Sequence, residues 1–332
     1  MIIRNKIVSL YTAPLFAVLA LASCKKQEYE LPTASTNLQN DAIKRTIGPN
    51  LVTGTINFAY ALAIVPEKGK LSSIEVEASI AGAAGTFLDN NSYYTAGNGA
   101  DVGVPVGSAS VTNGAITKVT FNKDTSAATL RYTYVIPEEA RGKTVSFKFT
   151  GKSSNGETVT YTMGPYTIST MDIKRLLAVS NNNLAFISIA DMAVYNSVQA
   201  AANASKIDVV YLFRNLTTSA FNHALVSPGA DTSYLPGVTL PAGVNRSTKL
   251  RKVFNLQDYN LALLQFGIYI DDLDFQQIDL NDSPNFAINL RAEAGVWAET
   301  ADGKYKAYIY INSVNAAGTA VISMKRWTVP GK

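Results

Sequence analysis

Cysteine and histidine, the residues that most often carry metal or nucleophilic chemistry, occur once each in 332 residues, as Cys24 and His223. That count excludes a zinc site built from His and Cys. A Cys/His nucleophile pair would have to use Cys24, which closes a leader segment. A Ser/His/Asp triad would need His223 as its base, and no G-x-S-x-G elbow presents a serine to it. His223 therefore reads as a histidine in or near a strand end. Two phosphate-loop look-alikes, Gly142-Lys143-Thr144 and Gly151-Lys152-Ser153, lack the upstream glycine, whose places are held by Pro137 and Ser146. Carboxylates remain. Asp271, Asp272, Asp274, Asp279 and Asp282 crowd the run DDLDFQQIDLND, but the glycine and terminal glutamate of an EF-hand loop are missing. The run reads as a solvated turn with Asp272 or Asp274 capping a short helix. No acidic pair stands out for glycoside hydrolysis, which needs two carboxylates and little else. No catalytic residue, metal or cofactor is expected.

Aromatic side chains offer a different chemistry. Trp and Tyr rings stack on sugar faces while Asn, Asp and Gln bond the hydroxyls. The candidates for ligand contact are Tyr93 and Tyr94, adjacent in an Asn- and Gly-rich loop from Asn90 to Gly103, together with Trp297 and Trp327. The tryptophans sit in strand-rich sequence, where a core position is the commoner outcome. Tyr308 and Tyr310 share a face with Lys306, so that face looks partly exposed, while Ala307, Ile309 and Ile311 point the other way.

The elements that position these residues begin with a leader. Arg4 and Lys6 start it, Ile7 to Ala20 is mostly apolar, and Leu21-Ala22-Ser23-Cys24 ends it. This is the layout of a secretory signal, too short and too interrupted by Thr12 and Pro14 for a comfortable membrane span. Leu-Ala-Ser-Cys resembles a bacterial lipobox, which implies removal of residues 1–23 and lipidation of Cys24. A lone cysteine at that position fits a chain with no disulfide framework. Residues 24–50 are polar and read as a flexible tether. Its opening, Lys25-Lys26-Gln27-Glu28-Tyr29-Glu30, resembles the signals that send Bacteroidetes lipoproteins to the outer face of the outer membrane.

Loss of residues 1–23 leaves 27 Lys+Arg against 25 Asp+Glu, a net charge of +2. So even a balance gives no electrostatic case for nucleic acid. A hydrophobic fraction of 47%, charge of only 16%, and abundant Tyr, Thr, Ser and Asn suit a β-rich extracytoplasmic protein. The mature length predicts two domains.

Over residues 51–170, period-two segments such as Thr55–Leu62, Ser73–Ile80 and Ala128–Val135 predict half-buried strands. Thr144–Phe149 and Thr158–Thr162 predict a hairpin around Gly151–Gly156. The Tyr-rich strand, the corner Pro137-Glu138-Glu139-Ala140-Arg141-Gly142-Lys143 and the final hairpin resemble the Ig-like domains of Bacteroidetes surface lipoproteins. Over residues 171–332, Ile207–Phe213 is nearly continuous in apolar character and predicts a central buried strand. Asp191–Ala204 runs into a short helix, Asp258–Leu264 reads as helical with Asp258 as its cap, and Lys304–Ile311 and Ala320–Trp327 form a closing hairpin. The segments Ile207-Asp208-Val209-Val210-Tyr211, Ser227-Pro228 and Gly303-Lys304-Tyr305 through Val314 to Gly318 resemble a recurring module of Bacteroidetes lipoproteins. Those families bring no established chemistry.

The expected fold is therefore mainly β, an Ig-like β-sandwich followed by a second β-rich, sandwich-like α+β domain. The expected function is binding without catalysis: a protein held by a lipid on Cys24 at the outer membrane and facing the cell exterior. Its ligand would be a glycan in a polysaccharide-utilisation context. The rival readings are a structural or adhesive subunit with an outer-membrane protein partner and, third, a carboxylate-based glycoside hydrolase.

Overall fold

The alternation expected after residue 50 builds two facing sheets. In the computed structural model, which describes residues 35–181, 183–216, 219–263 and 268–332, the first half contains eleven strands. They are β1 (Gln39–Lys44), β2 (Thr55–Ala63), β3 (Leu71–Ala78), β4 (Phe87–Leu88), β5 (Asn91–Thr95), β6 (Asp101–Pro105), β7 (Val111–Asn113), β8 (Ile116–Thr120), β9 (Ala127–Val135), β10 (Thr144–Ser153) and β11 (Thr158–Thr167). A sheet ordered β1-β2-β9-β4 faces one ordered β11-β10-β3-β8-β7, and β5–β6 is a separate hairpin. Strand β2 buries Ile56, Phe58, Tyr60 and Leu62 and turns the residues between them outward, as a period of two requires. Across the sandwich, Phe58 and Phe147 lie 4.8 Å apart by ring centroid, and Tyr134 meets Phe147 at 4.9 Å nearly perpendicular. Each such fully buried ring contributes about 1.5–3 kcal/mol.

The lipobox and Cys24 lie outside the described residues. The tether expected up to residue 50 is shorter than its composition implies. Asn37–Lys332 forms one compact unit, Leu38 is buried in the first core, and β1 pairs antiparallel with β2 from Gln39↔Ala63 to Lys44↔Phe58. An edge strand needs backbone pairing more than apolar side chains, so a polar sequence such as QNDAIK serves.

The second half contains β12 (Asp172–Ser180), β13 (Phe186–Ser188), β14 (Ala193–Tyr195), helix α1 (Ser197–Ala202), β15 (Val209–Leu216), β16 (Ser219–Val226), β17 (Lys249–Phe254), helix α2 (Asp272–Gln277), β18 (Phe286–Leu290), β19 (Ala294–Glu299), β20 (Tyr305–Val314) and β21 (Thr319–Thr328). A sheet ordered β12-β21-β20-β19-β17 packs on one ordered β14-β13-β15-β16-β18. Strand β15 is central and buried, as expected. The outer face of each sheet is also covered. Helix α1 and the 230–244 loop bury Ile207, Val210 and Leu212, while residues 256–263 and 268–280 bury Trp297, Tyr308, Tyr310 and Trp327. The face carrying Tyr308 and Tyr310, expected to be partly exposed, is therefore core. Lys306 reaches past it to donate to the carbonyls of Phe275 and Ile278.

Two further expectations change. Residues 258–263 form turns in place of the expected helix, and Asp258 holds a buried lysine where a helix cap was anticipated. Helix α2 is capped by Asp271, whose carboxylate takes the Leu273 N–H while Asp274 takes the Asp271 N–H in return. Asp272 and Asp274 are first-turn residues of that helix, and no metal-ligand cluster occurs among the described residues.

The corner Pro137–Lys143 joins the two sandwiches. Arg141 pairs with Glu138 and, at 3.0 Å, with Asp172 at the start of β12, and Asp172 in turn takes Arg326 at 2.5 Å.

Candidate functional site

Strand β16 is distorted on both sides, and its distortion opens a cleft of about 880 Å³ at one end of the second sandwich. Its register against β15 slips between Arg214 and Asn215, and against β18 between His223 and Leu225. Bulges of this kind re-aim side chains and recur beside binding sites. Asn222 and Asn289 sit at the two slips in left-handed backbone, at φ 46° and 55°. Asparagine tolerates that region better than other side-chain-bearing residues. Their amides meet, with Asn222 Nδ2 donating to Asn289 Oδ1 at 3.2 Å. Asn215 and Asn315 add further amides to the lining.

The floor is aromatic. Phe213 stacks on His223 with centroids 4.6 Å apart, and the Tyr211 hydroxyl lies 2.6 Å from His223 Nδ1. Burial pushes the His223 imidazole below its ordinary value and the Tyr211 phenol above its own. The phenol and the imidazole thus share one hydrogen bond within the floor. The β20–β21 turn closes over Phe213 at Gly318, where φ is 78° and a β-carbon would come within 3.0 Å of the ring. Glycine is required there on both counts. At the mouth, Phe254 is 44% exposed and carries the Arg291 guanidinium 4.2 Å above its ring. Lys252 lines the same wall and donates to the Ile288 carbonyl at 2.9 Å. Among the described lining residues there is no Asp or Glu.

The aromatic candidates from the sequence do not gather here. Trp297 and Trp327 are each 5% exposed and pack on Phe275, so their assignment to ligand contact is corrected: residues 256–263 and 268–280 cover them. Tyr93 lies in the β5–β6 hairpin where a loop was expected. Its ring is covered by Arg131 at 3.8 Å, and its hydroxyl donates to Asp89. Tyr94, its neighbour, is 56% exposed on the same hairpin of the first sandwich.

Sequence reasoning weighed His223 and set it aside, and it passed over Phe213, Asn222, Phe254, Asn289 and Arg291. The motif residues meanwhile turn out to be structural. Asp208 accepts the Ile189 N–H and pairs with Arg246 at 2.8 Å, and Ser227 donates to the Arg246 carbonyl while accepting the Thr248 N–H.

The molecule is thus a tandem of β-sandwiches with one bulge-flanked cleft in the second. The family model described as domain of unknown function DUF4466 matches residues 35–168, and that described as domain of unknown function DUF8576 matches residues 169–329. A crystal structure of a DUF4466 family protein from Parabacteroides merdae, a member of the Bacteroidetes, is 46% identical with a TM-score of 0.81, over 89% of this chain and all of that one. The chain belongs to the DUF4466 family. The major pilin subunit of Bacillus cereus matches at 8% identity with a TM-score of 0.27, over 88% of this chain and 67% of that one. None of the curated proteins is similar to the chain.

Proposed function

We propose that this protein is a lipid-anchored binding protein of the bacterial surface and that it takes a glycan in the cleft between β16, β17, β18 and the β20–β21 turn. The observation that carries this reading is the pairing of Asn222 and Asn289, both left-handed, beside the exposed ring of Phe254. Backbone held in a sparsely populated region at a cleft is strain retained for a purpose. Amides with unspent donors and acceptors next to an aromatic face match the alternation of hydroxyls and C–H faces on a sugar. The lack of carboxylates in the described lining supports binding over hydrolysis, which needs a pair of them. The Leu21–Cys24 ending supports the lipid anchor, and the Lys25–Glu30 run supports an outer-membrane address.

The test is a glycan-array screen of the full chain, followed by calorimetry on each hit. Binding should fall about ten-fold in Phe254→Ala and be indifferent to Tyr94→Ala. A hit that depends on Tyr94 and ignores Phe254 would move the site to the β5–β6 hairpin. The anchor is tested separately, by incorporation of labelled palmitate, which Cys24→Ser should abolish. A protein partner is the second reading. It draws support from Ile43 and Ile47, 63% and 73% exposed on and just beyond edge strand β1, and an array without any hit would put it first.

A further inference from the structure

The cleft has a charge bias that a neutral sugar does not need. Arg291 and Lys252 line it, and none of the described lining residues is acidic. The two cations differ in how they are held. Lys252 spends one N–H on the Ile288 carbonyl. The guanidinium carbon of Arg291 lies over Phe254, 4.2 Å from the ring centroid, and the guanidinium has no hydrogen-bond or ion-pair partner among the described residues. Three arginines elsewhere in the second sandwich and at its junction are tied to carboxylates. Arg141 and Arg326 share Asp172, and Arg246 bridges Asp208 and Asp302. A guanidinium held over an aromatic ring without a carboxylate or carbonyl partner keeps its forked N–H donors open, and they match two oxygens of a planar anion.

From this geometry we infer that the ligand is an acidic glycan, with a carboxylate of a uronic-acid unit on the open edge of Arg291 and Lys252 beside it. This inference rests on the saccharide reading of the cleft and refines it. The Asn222–Asn289 pair would serve the neutral hydroxyls of the same chain, and Phe254 would be shared between Arg291 on one face and the cleft on the other.

The experiment uses matched pairs and the full chain. Calorimetry compares oligogalacturonate with its methyl ester, which keeps the sugar rings and hydroxyls and removes the charge. A sulfated oligosaccharide and its desulfated form make a second pair. The acid should bind at least ten-fold more tightly than the ester at low salt, with the gap closing as salt rises. Arg291→Gln should abolish the preference for acid over ester, read as the ratio of the two affinities in the same variant. Arg291 is exposed, so this variant is expected to fold, and thermal unfolding confirms it. Equal affinity for acid and ester would overturn the acidic-ligand inference and leave saccharide binding standing. A preference for the sulfated pair alone would overturn the uronate. A preference for acid that survives Arg291→Gln combined with Lys252→Gln would overturn the placement, and no binding to any member of either pair or to the array would overturn both readings.

Discussion

Lys325 Nζ lies 2.7 Å from Asp258 Oδ2, and both side chains are fully buried. The ammonium also donates to Asn260 Oδ1 at 3.1 Å and to the Ile270 carbonyl at 2.7 Å, so each of its protons has an acceptor. Asp258 in turn accepts the backbone N–H groups of Asn260 and Ile270. The pair therefore ties the 256–271 segment to the face of the β12–β21 sheet. Lys325→Met should destabilise the protein by about 3–5 kcal/mol, because it strands a buried carboxylate. Combining it with Asp258→Leu should recover a large part of that loss. Urea unfolding followed by tryptophan fluorescence measures both, and a single-variant loss below about 1 kcal/mol would show that the pair is not what pins the segment.

Asp208 makes stability depend on pH. Burial pushes its carboxyl up to about 6, against the opposing pull of the Ile189 N–H and Arg246. The folded value lies above that of an unfolded aspartate, about 3.9, so between about pH 4 and 6 the native state holds the extra proton. Stability from this group is present below that window and is lost as pH rises through it, by up to about 3 kcal/mol. Asp302, at the other end of Arg246, moves oppositely. Burial resists ionisation there, yet the Thr300 hydroxyl, the Lys304 N–H and Arg246 draw it down to about 2. Its contribution is lost as pH falls from about 4 toward 2. Asp208→Asn should flatten the slope between pH 4 and 6, read from urea midpoints across that range. An unchanged slope assigns it to another group.

Asn222 separates strain from chemistry. At φ 46° an alanine costs about 1–2 kcal/mol and a glycine almost nothing. Asn222→Gly should keep wild-type stability within about 0.5 kcal/mol and still weaken ligand binding, since the amide is gone. Asn222→Ala should lose both. Binding retained in the glycine variant would remove Asn222 from the site.

The aromatic residues divide by burial. Trp327→Ala opens a cavity against Phe275 and should cost about 3–5 kcal/mol in chemical denaturation. Tyr94→Ala removes a ring that is 56% exposed and should change stability by less than about 0.5 kcal/mol. A large loss at Tyr94 would mean that the β5–β6 hairpin depends on it.

Much of this architecture is legible in the sequence. Strands β2, β9 and β10 appear as period-two alternation because one of their faces meets the core and the other meets water. The central strand at Ile207–Phe213 and the closing hairpin are equally plain, since each is a local pattern. What the sequence could not supply is whatever depends on residues far apart in the chain. Trp327 and Tyr308 look like platform candidates until residues 256–263 and 268–280 fold over them, and Asp258 looks like a helix cap until Lys325, 67 positions later, takes its carboxylate. The cleft is the extreme case. Phe213, Asn222, Phe254, Asn289 and Arg291 come from separate strands and turns, and each is unremarkable alone. Left-handed backbone at Asn222 and Asn289 leaves no mark on composition or periodicity, because two register slips in the assembled sheet create it. The sequence by itself determined the β-rich class and most of the strands, whose causes are local. Tertiary structure alone decided which rings are core, that Arg291 comes to lie over Phe254 and where a ligand could sit, because burial and pairing are properties of the packed sheets.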